Sequence, residues 1–142
     1  MARILYIVSE DWYFCSHRLP LAAAAMQRGH DVAVATRVHE HGDKIMAAGL
    51  RLIPLKMVRR GKNPFKEISS IWELYLIVRA ERPDIVHLVA LKPIVYGGIA
   101  ARLAGLPHVV TSIAGLGHVF TSRQFKAKLF RPVLLTLLRV LL

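Results

Sequence analysis

Apolar, β-branched runs recur along the chain at residues 4–8, 32–36, 50–55, 85–89 and 109–113. The segments between them read as helices, so strands and helices alternate from end to end, the signature of a parallel sheet. The first four strands are almost wholly apolar rather than strictly alternating. That pattern fits a sheet with helices on both faces, because neither side of a strand then meets water. Helix punctuation supports the reading. Ser16 is a candidate N-cap for a helix over 17–28, with Pro20 at the edge of its first turn and Gly29 as its stop. A short helix over 43–48 ends at Gly49, a longer one over 65–81 stops before Pro83, and one over 93–104 stops at Gly105. The polar, breaker-rich stretch 59–64 reads as a loop. The fold class expected is α/β, a Rossmann-like doubly wound parallel sheet.

The 142 residues are 54% hydrophobic, enough for one sizeable core and one domain, 1–142. Charge changes the picture more: a formal net charge of +11 and a pI near 10.6 call for an anionic partner. Nucleic acid, acidic lipid and phosphorylated substrates all qualify. The basic residues are scattered among strand-end loops, with no RNA-binding or helix-turn-helix signature, so nucleic acid ranks last. The lone Cys15 leaves no disulfide framework and no cysteine-based zinc site, and a cytoplasmic location is the default. The N-terminal apolar run is too short for a signal peptide. No stretch reaches the ~20 apolar residues of a membrane-spanning helix. The sequence stops inside an apolar run ending at Leu142, and a further segment or partner is expected to cover it.

In an open parallel sheet, ligands bind beyond the carboxyl ends of the strands. Those positions are polar and basic here: 9–18 after the first strand, Arg37, His39 and His41 after the second, Lys56, Arg59, Arg60 and Lys62 after the third, Lys92 after the fourth, and 115–118 after the fifth. The first loop contains no glycine, the second strand ends in Thr36-Arg37 rather than a carboxylate, and no Gly-x-x-x-x-Gly-Lys-Ser/Thr occurs, so a dinucleotide site and a P-loop are both poor readings. His30, His39 and His41 follow no common metal spacing, and no metal is expected.

Six stretches together resemble the N-terminal domain of family 4 glycosyltransferases. They are residues 9–18, the Gly29-His30 pair, Asp84-Ile-Val-His87, Lys92-Pro-Ile-Val-Tyr-Gly97, residues 100–107 and residues 112–120. The closest look is to bacterial enzymes that extend polyprenyl-diphosphate-linked oligosaccharides for capsule, exopolysaccharide or glycan assembly. The resemblance implies the N-terminal, acceptor-side half of a GT-B architecture and a retaining, metal-independent transferase with no cofactor. It also implies that a C-terminal domain or partner chain, absent here, supplies most contacts to the nucleoside-diphosphate sugar. The alternative is a non-catalytic, membrane-associated acceptor-binding or scaffold subunit of a split enzyme.

The candidate residues follow from position and resemblance. His17 and Arg18 are placed to hold acceptor diphosphate at a helix start, or are simply solvated. Glu10 and Asp11 are candidate base or hydroxyl-binding groups, the alternative being a pair that faces water or binds Arg18. Lys92 is a candidate phosphate ligand, with a purely structural role as the alternative. Gly115 and Gly117 would let the backbone approach the donor diphosphate or the sugar, the alternative being a simple turn after the strand. Family members often carry a histidine after the fifth strand. That position lacks one here, and His118 is the catalytic candidate in its place. His87, inside a strand, reads as a hydrogen-bonded core residue. Arg59, Arg60, Lys62, Lys126, Lys128 and Arg131 are the candidate contacts to an anionic membrane surface, the last three interleaved with Phe125, Leu129 and Phe130.

Overall fold

The computed structural model describes residues 1–57 and 63–112, together with Pro132, Thr136 and Arg139. Five strands, β1 (Arg3–Glu10), β2 (Asp31–Arg37), β3 (Arg51–Pro54), β4 (Ile85–Val89) and β5 (Val109–Ser112), form one sheet in the order β3-β2-β1-β4-β5. Every pairing is parallel. The order runs outward in both directions from the centre. The crossovers therefore part between β1 and β4, the place where a doubly wound sheet opens a crevice.

Helices α1 (Asp11–His17), α2 (Leu19–Gln27) and α3 (Gly42–Ala47) cover one face; α4 (Pro64–Glu81) and α5 (Leu91–Leu103) cover the other. Successive strand side chains point to opposite faces. Tyr6 and Val8 of β1 accordingly pack with Phe14, Ala22 and Ile45, while Leu5 and Ile7 pack with Leu74, Val78 and Ile94. Both faces are buried, which is why the strands carry continuous apolar runs.

The largest departure from the sequence reading lies after β1. Where a loop capped by Ser16 was expected, the strand runs to Glu10 and passes directly into α1. Ser16 sits inside that helix with its hydroxyl donating to the Trp12 carbonyl at 2.8 Å. The break falls at Arg18 instead, because Pro20 in the first turn of α2 has no N–H to continue the ladder of α1. A second departure concerns α5, which starts at Leu91, so Lys92 stands in its first turn rather than in a loop. The short β3 begins one residue later and ends one earlier than its apolar run. At the other helix ends, Gly29 (φ +88) and Gly49 (φ +86) take the left-handed conformation that stops α2 and α3, as their positions predict.

Ala90, at the β4–α5 junction beside the crevice, has φ 75 and ψ 164, a region almost reserved for glycine. It is held there by its N–H to the Ser112 carbonyl and by its own carbonyl, which receives the Ile94 N–H. Such a residue stores ~1–3 kcal/mol, against the ~0.5–1 kcal/mol that glycine costs in unfolded-chain entropy. Ala90→Gly is therefore expected to stabilise the chain by ~1 kcal/mol, read as a rise in the denaturant midpoint. An unchanged or lowered midpoint would show that the strain is relieved elsewhere.

Candidate functional site

Where β1 pairs with β4, the sheet brings together residues that sequence order scatters. Tyr6 and His87 are register partners in that pairing, their rings stacked with centroids 4.9 Å apart. His87 Nε2 shares a 2.7 Å hydrogen bond with Ser112 Oγ of β5. Burial, with the nearby Arg18 charge adding to it, lowers the His87 pKa, so the imidazole is neutral near neutrality. Burial raises the Tyr6 hydroxyl, and Arg18 opposes that only in part. Both groups thus sense the same guanidinium. Arg18 itself is half-buried, and its Nε is fully buried with no hydrogen-bond partner among the described residues. Among the described residues its NH1 donates to the His17 carbonyl alone, at a long 3.4 Å. A buried donor left unmet costs free energy, so the hydrogen bonding of this guanidinium is incomplete among the described residues.

At the carboxyl end of β1, Glu10 and Asp11 are both buried and neither binds Arg18. Glu10 Oε2 accepts from His39 Nε2 at 2.7 Å, and the imidazole is about half exposed. Asp11 is turned inward. Its Oδ2 accepts the backbone N–H groups of His39 (2.7 Å) and His41 (2.9 Å), and its Oδ1 that of Trp12 (2.8 Å). Burial pushes the Asp11 carboxyl up, but the three backbone donors and the His41 ring outweigh it and hold its pKa below the ordinary value. The carboxylates read as candidate base or hydroxyl-binding groups thus tie the end of β2 to β1. His39 emerges as a half-exposed imidazole, steadied through backbone and side chain alike. The sequence places it at the ligand-binding edge of the sheet but offers no partner for it beyond a metal reading. His30 cannot join it, since His30 accepts the Ala2 N–H at the opposite end of β2.

His17 stands in the last turn of α1, not at a helix start, so the argument from free N–H groups does not apply to it. Its ring stacks on Tyr13 at 4.2 Å. Phe14 is buried, whereas Trp12 is exposed. Lys92 is engaged as well: its Nζ lies 3.0 Å from Glu67 Oε2 of α4 and 5.3 Å from the centre of the Tyr96 ring. The Tyr96 hydroxyl donates to the same carboxylate. Burial and that carboxylate push Tyr96 up to about 12; burial would raise Glu67, but its two donors bring it below the usual range. Lys92 therefore pins α5 to α4 with part of its charge already matched. No local spacing pairs Glu67 with Tyr96, which are far apart and on different helices. Of the other carboxylates of α4, Glu73 accepts the Lys56 N–H and Glu81 pairs with Arg51. A cavity lined by Val78, Arg79, Arg82, Pro83, Ala104 and Leu106 opens where the strands begin, away from these groups.

Gly115, Gly117, His118, Arg59, Arg60, Lys62, Lys126, Lys128 and Arg131 lie outside the described residues. Among the described residues no helix is long and apolar enough to cross a membrane, and no group of histidine, cysteine and carboxylates gathers as a metal site.

With the geometry in place, comparison with known proteins is specific. The sequence profile described as glycosyl transferase 4-like matches residues 3–140. N,N'-diacetylbacillosaminyl-diphospho-undecaprenol alpha-1,3-N-acetylgalactosaminyltransferase of Campylobacter jejuni is 28% identical over 123 residues, which are 87% of this chain and 33% of that protein. UDP-Gal:alpha-D-GlcNAc-diphosphoundecaprenol alpha-1,3-galactosyltransferase of Escherichia coli is 41% identical over 65 residues, 46% of this chain and 17% of that protein. The chain thus spans a third or less of the length of these relatives. Among solved structures, MurG of Acinetobacter baumannii superposes with a TM-score of 0.66 over 87% of this chain and 39% of its own, at 18% identity. That likeness concerns the fold.

Proposed function

This chain belongs to the glycosyl transferase 4-like family, and from that premise we propose that it is the acceptor-holding half of a GT-B glycosyltransferase. The reaction assigned is transfer of a sugar from a nucleoside-diphosphate sugar to a polyprenyl-diphosphate-linked glycan at the cytoplasmic face of a membrane. The relatives' own acceptors, diphospho-undecaprenol sugars, support the substrate class. The observation that carries the reading is Arg18, a cation at the β1–β4 crevice with a buried, unmet donor. A diphosphate fits it, because guanidinium and phosphate oxygens form charge-assisted, often paired hydrogen bonds. The Glu10–His39 pair on the same edge is suited to hold a sugar hydroxyl, with Glu10 orienting the ring. Lys92, partly matched by Glu67, adds positive potential at the start of α5.

In this division of labour the chain orients the acceptor, and a C-terminal domain contributes the donor and the charge for its leaving group. Holding two reactants in register is a large part of what a transferase must do. Retention of anomeric configuration and independence from metal belong to the same proposal.

The test is a titration of the chain with a water-soluble, short-chain polyprenyl-diphosphate N-acetylhexosamine. Loss of a charged hydrogen bond, worth ~1.5–3 kcal/mol, should make Arg18→Ala bind ~10–100-fold more weakly. Arg18→Lys should recover only part of that affinity, lacking the planar fork. Equal affinity in wild type and Arg18→Ala, at unchanged thermal stability, would remove the assignment.

A further inference from the structure

Helix α4 is apolar on two opposite sides. Its inner side seats Leu74 and Val78 in the core, with Ser70 also buried. Its outer side carries Phe65, Ile68, Trp72 and Leu76, which are 82%, 64%, 59% and 50% exposed. The spacing of three, four and four puts these four on one stripe along the helix, roughly 16 Å long at 1.5 Å per residue. Trp72 is held in place by stacking on Tyr75, 5.2 Å away, and Tyr75 packs on the core beneath. Scattered apolar residues on a surface need no explanation; four large ones in a row do.

The charges around the stripe select its occupant. Each carboxylate of α4 is engaged with another element: Glu67 with Lys92 and Tyr96, Glu73 with the Lys56 N–H, and Glu81 with Arg51. Lys66 and Arg79 on the helix, and Arg82 at its end, are exposed and form no ion pair among the described residues. The outer face therefore offers apolar side chains rimmed by cations, on a chain of net charge +11. That combination matches the interface of an anionic bilayer, where apolar groups enter the acyl boundary while lysine and arginine meet headgroups.

We propose that the Phe65–Ile68–Trp72–Leu76 stripe of α4 docks this protein on an anionic membrane surface. The inference rests on the membrane-bound acceptor reading for its purpose, and it gives that reading an orientation. Helix α4 follows β3, whose carboxyl end lies on the site edge, so Phe65 lies at the end of the stripe nearer that edge. A docked α4 would bring that edge toward the headgroups, where an acceptor diphosphate resides.

The experiment uses vesicles of phosphatidylcholine with or without phosphatidylglycerol and no polyprenyl lipid, so its outcome is independent of acceptor binding. In a Trp12→Phe background, Trp72 emission should shift to the blue and be quenched by lipids brominated on the acyl chain, but only in the anionic vesicles. Co-sedimentation should fall about tenfold in Phe65→Ser/Trp72→Ser/Leu76→Ser, with an unchanged far-ultraviolet spectrum. The same triple variant in the full-length enzyme should keep its turnover of the short-chain soluble acceptor. Unquenched Trp72, or undiminished sedimentation of the triple variant, overturns the proposal. So does a dimer-to-monomer change in that variant with vesicle binding intact, which assigns the stripe to a second copy. Failure of the acceptor titration alone would overturn the transferase reading and leave the vesicle result standing.

Discussion

Asp11→Ala is expected to be the most damaging single truncation at the site edge, lowering the unfolding free energy by about 4 kcal/mol, measured by denaturant titration. The fully buried carboxylate accepts three backbone N–H groups, from Trp12, His39 and His41. Hydrogen bonds to a charged group are worth ~1.5–3 kcal/mol each, and the sum is reduced because a relaxed loop can give some of these donors to water. Asp11→Asn should fall between, since one amide oxygen can still serve His39 and His41 while the amide nitrogen meets the Trp12 N–H donor to donor. The same group sets a pH dependence. Its folded pKa is held below the unfolded value of 3.8, so its contribution is fully present above that value and drains away as pH falls through the folded pKa. The acid limb of the stability curve should therefore flatten in Asp11→Asn. An Asp11→Ala chain as stable as wild type would show that the clamp is dispensable. Since Asp11 also positions His39, the proposed acceptor-holding role predicts that the variant loses acceptor affinity even where it stays folded.

The second large effect is expected at Gly97, in the middle of α5, where a glycine costs ~1 kcal/mol relative to alanine in an isolated helix. The structure shows why it is there. A Cβ at this position would lie 2.5 Å from Leu88 Cδ2 and 3.6 Å from Ile7 Cδ1. Both neighbours are fully buried, so neither can move without disturbing the sheet. Gly97→Val should cost ~3 kcal/mol, the upper end of what overpacking imposes, and Gly97→Ala less, because the gain in helix propensity offsets part of the clash. Pairing Gly97→Val with Leu88→Ala tests the cause. If the clash is with Leu88, the double variant should be more stable than the sum of the two single losses predicts. Simple additivity would place the conflict elsewhere.

Both predictions bear on function through the same geometry. Gly97 lets α5 lie close against β4 and β1, which sets where Lys92 and the strained Ala90 stand at the crevice. Asp11 fixes the opposite wall. The site edge is thus held from two sides by interactions buried beneath it. Precision of this kind is what the proposed acceptor-positioning role requires, since small misplacements of a reactant cost large factors in rate.

How much of this was legible in advance divides along physical lines. The strands, their parallel arrangement, the helices on both faces and the stops at Gly29, Gly49 and Gly105 followed from local pattern, because burial on two faces writes continuous apolar runs and a left-handed stop selects glycine. Family membership was legible for a related reason: short motifs keep their order and spacing along the chain. The carboxyl ends of the strands were identifiable as the site edge from topology alone.

What the sequence could not determine was which polar groups meet there. Glu10 with His39, Asp11 with the His39 and His41 backbones, and Glu67 with Lys92 and Tyr96 join residues 25 to 30 positions apart. No local spacing encodes such pairs, and strand register and helix packing create them only after the sheet has formed. That is why Asp11, read from the sequence as a candidate base or hydroxyl-binding group, is an internal clamp. It is also why His17 lies at the end of a helix rather than its start, once Pro20 has moved the break to Arg18. The outer stripe of α4 was hidden for the converse reason. Its residues carry the same helical periodicity as a core face, and only the placement of Leu74 and Val78 against the sheet leaves Phe65, Ile68, Trp72 and Leu76 turned outward. Apolar spacing thus determined that α4 is a helix, while tertiary packing decided which of its two apolar sides became core.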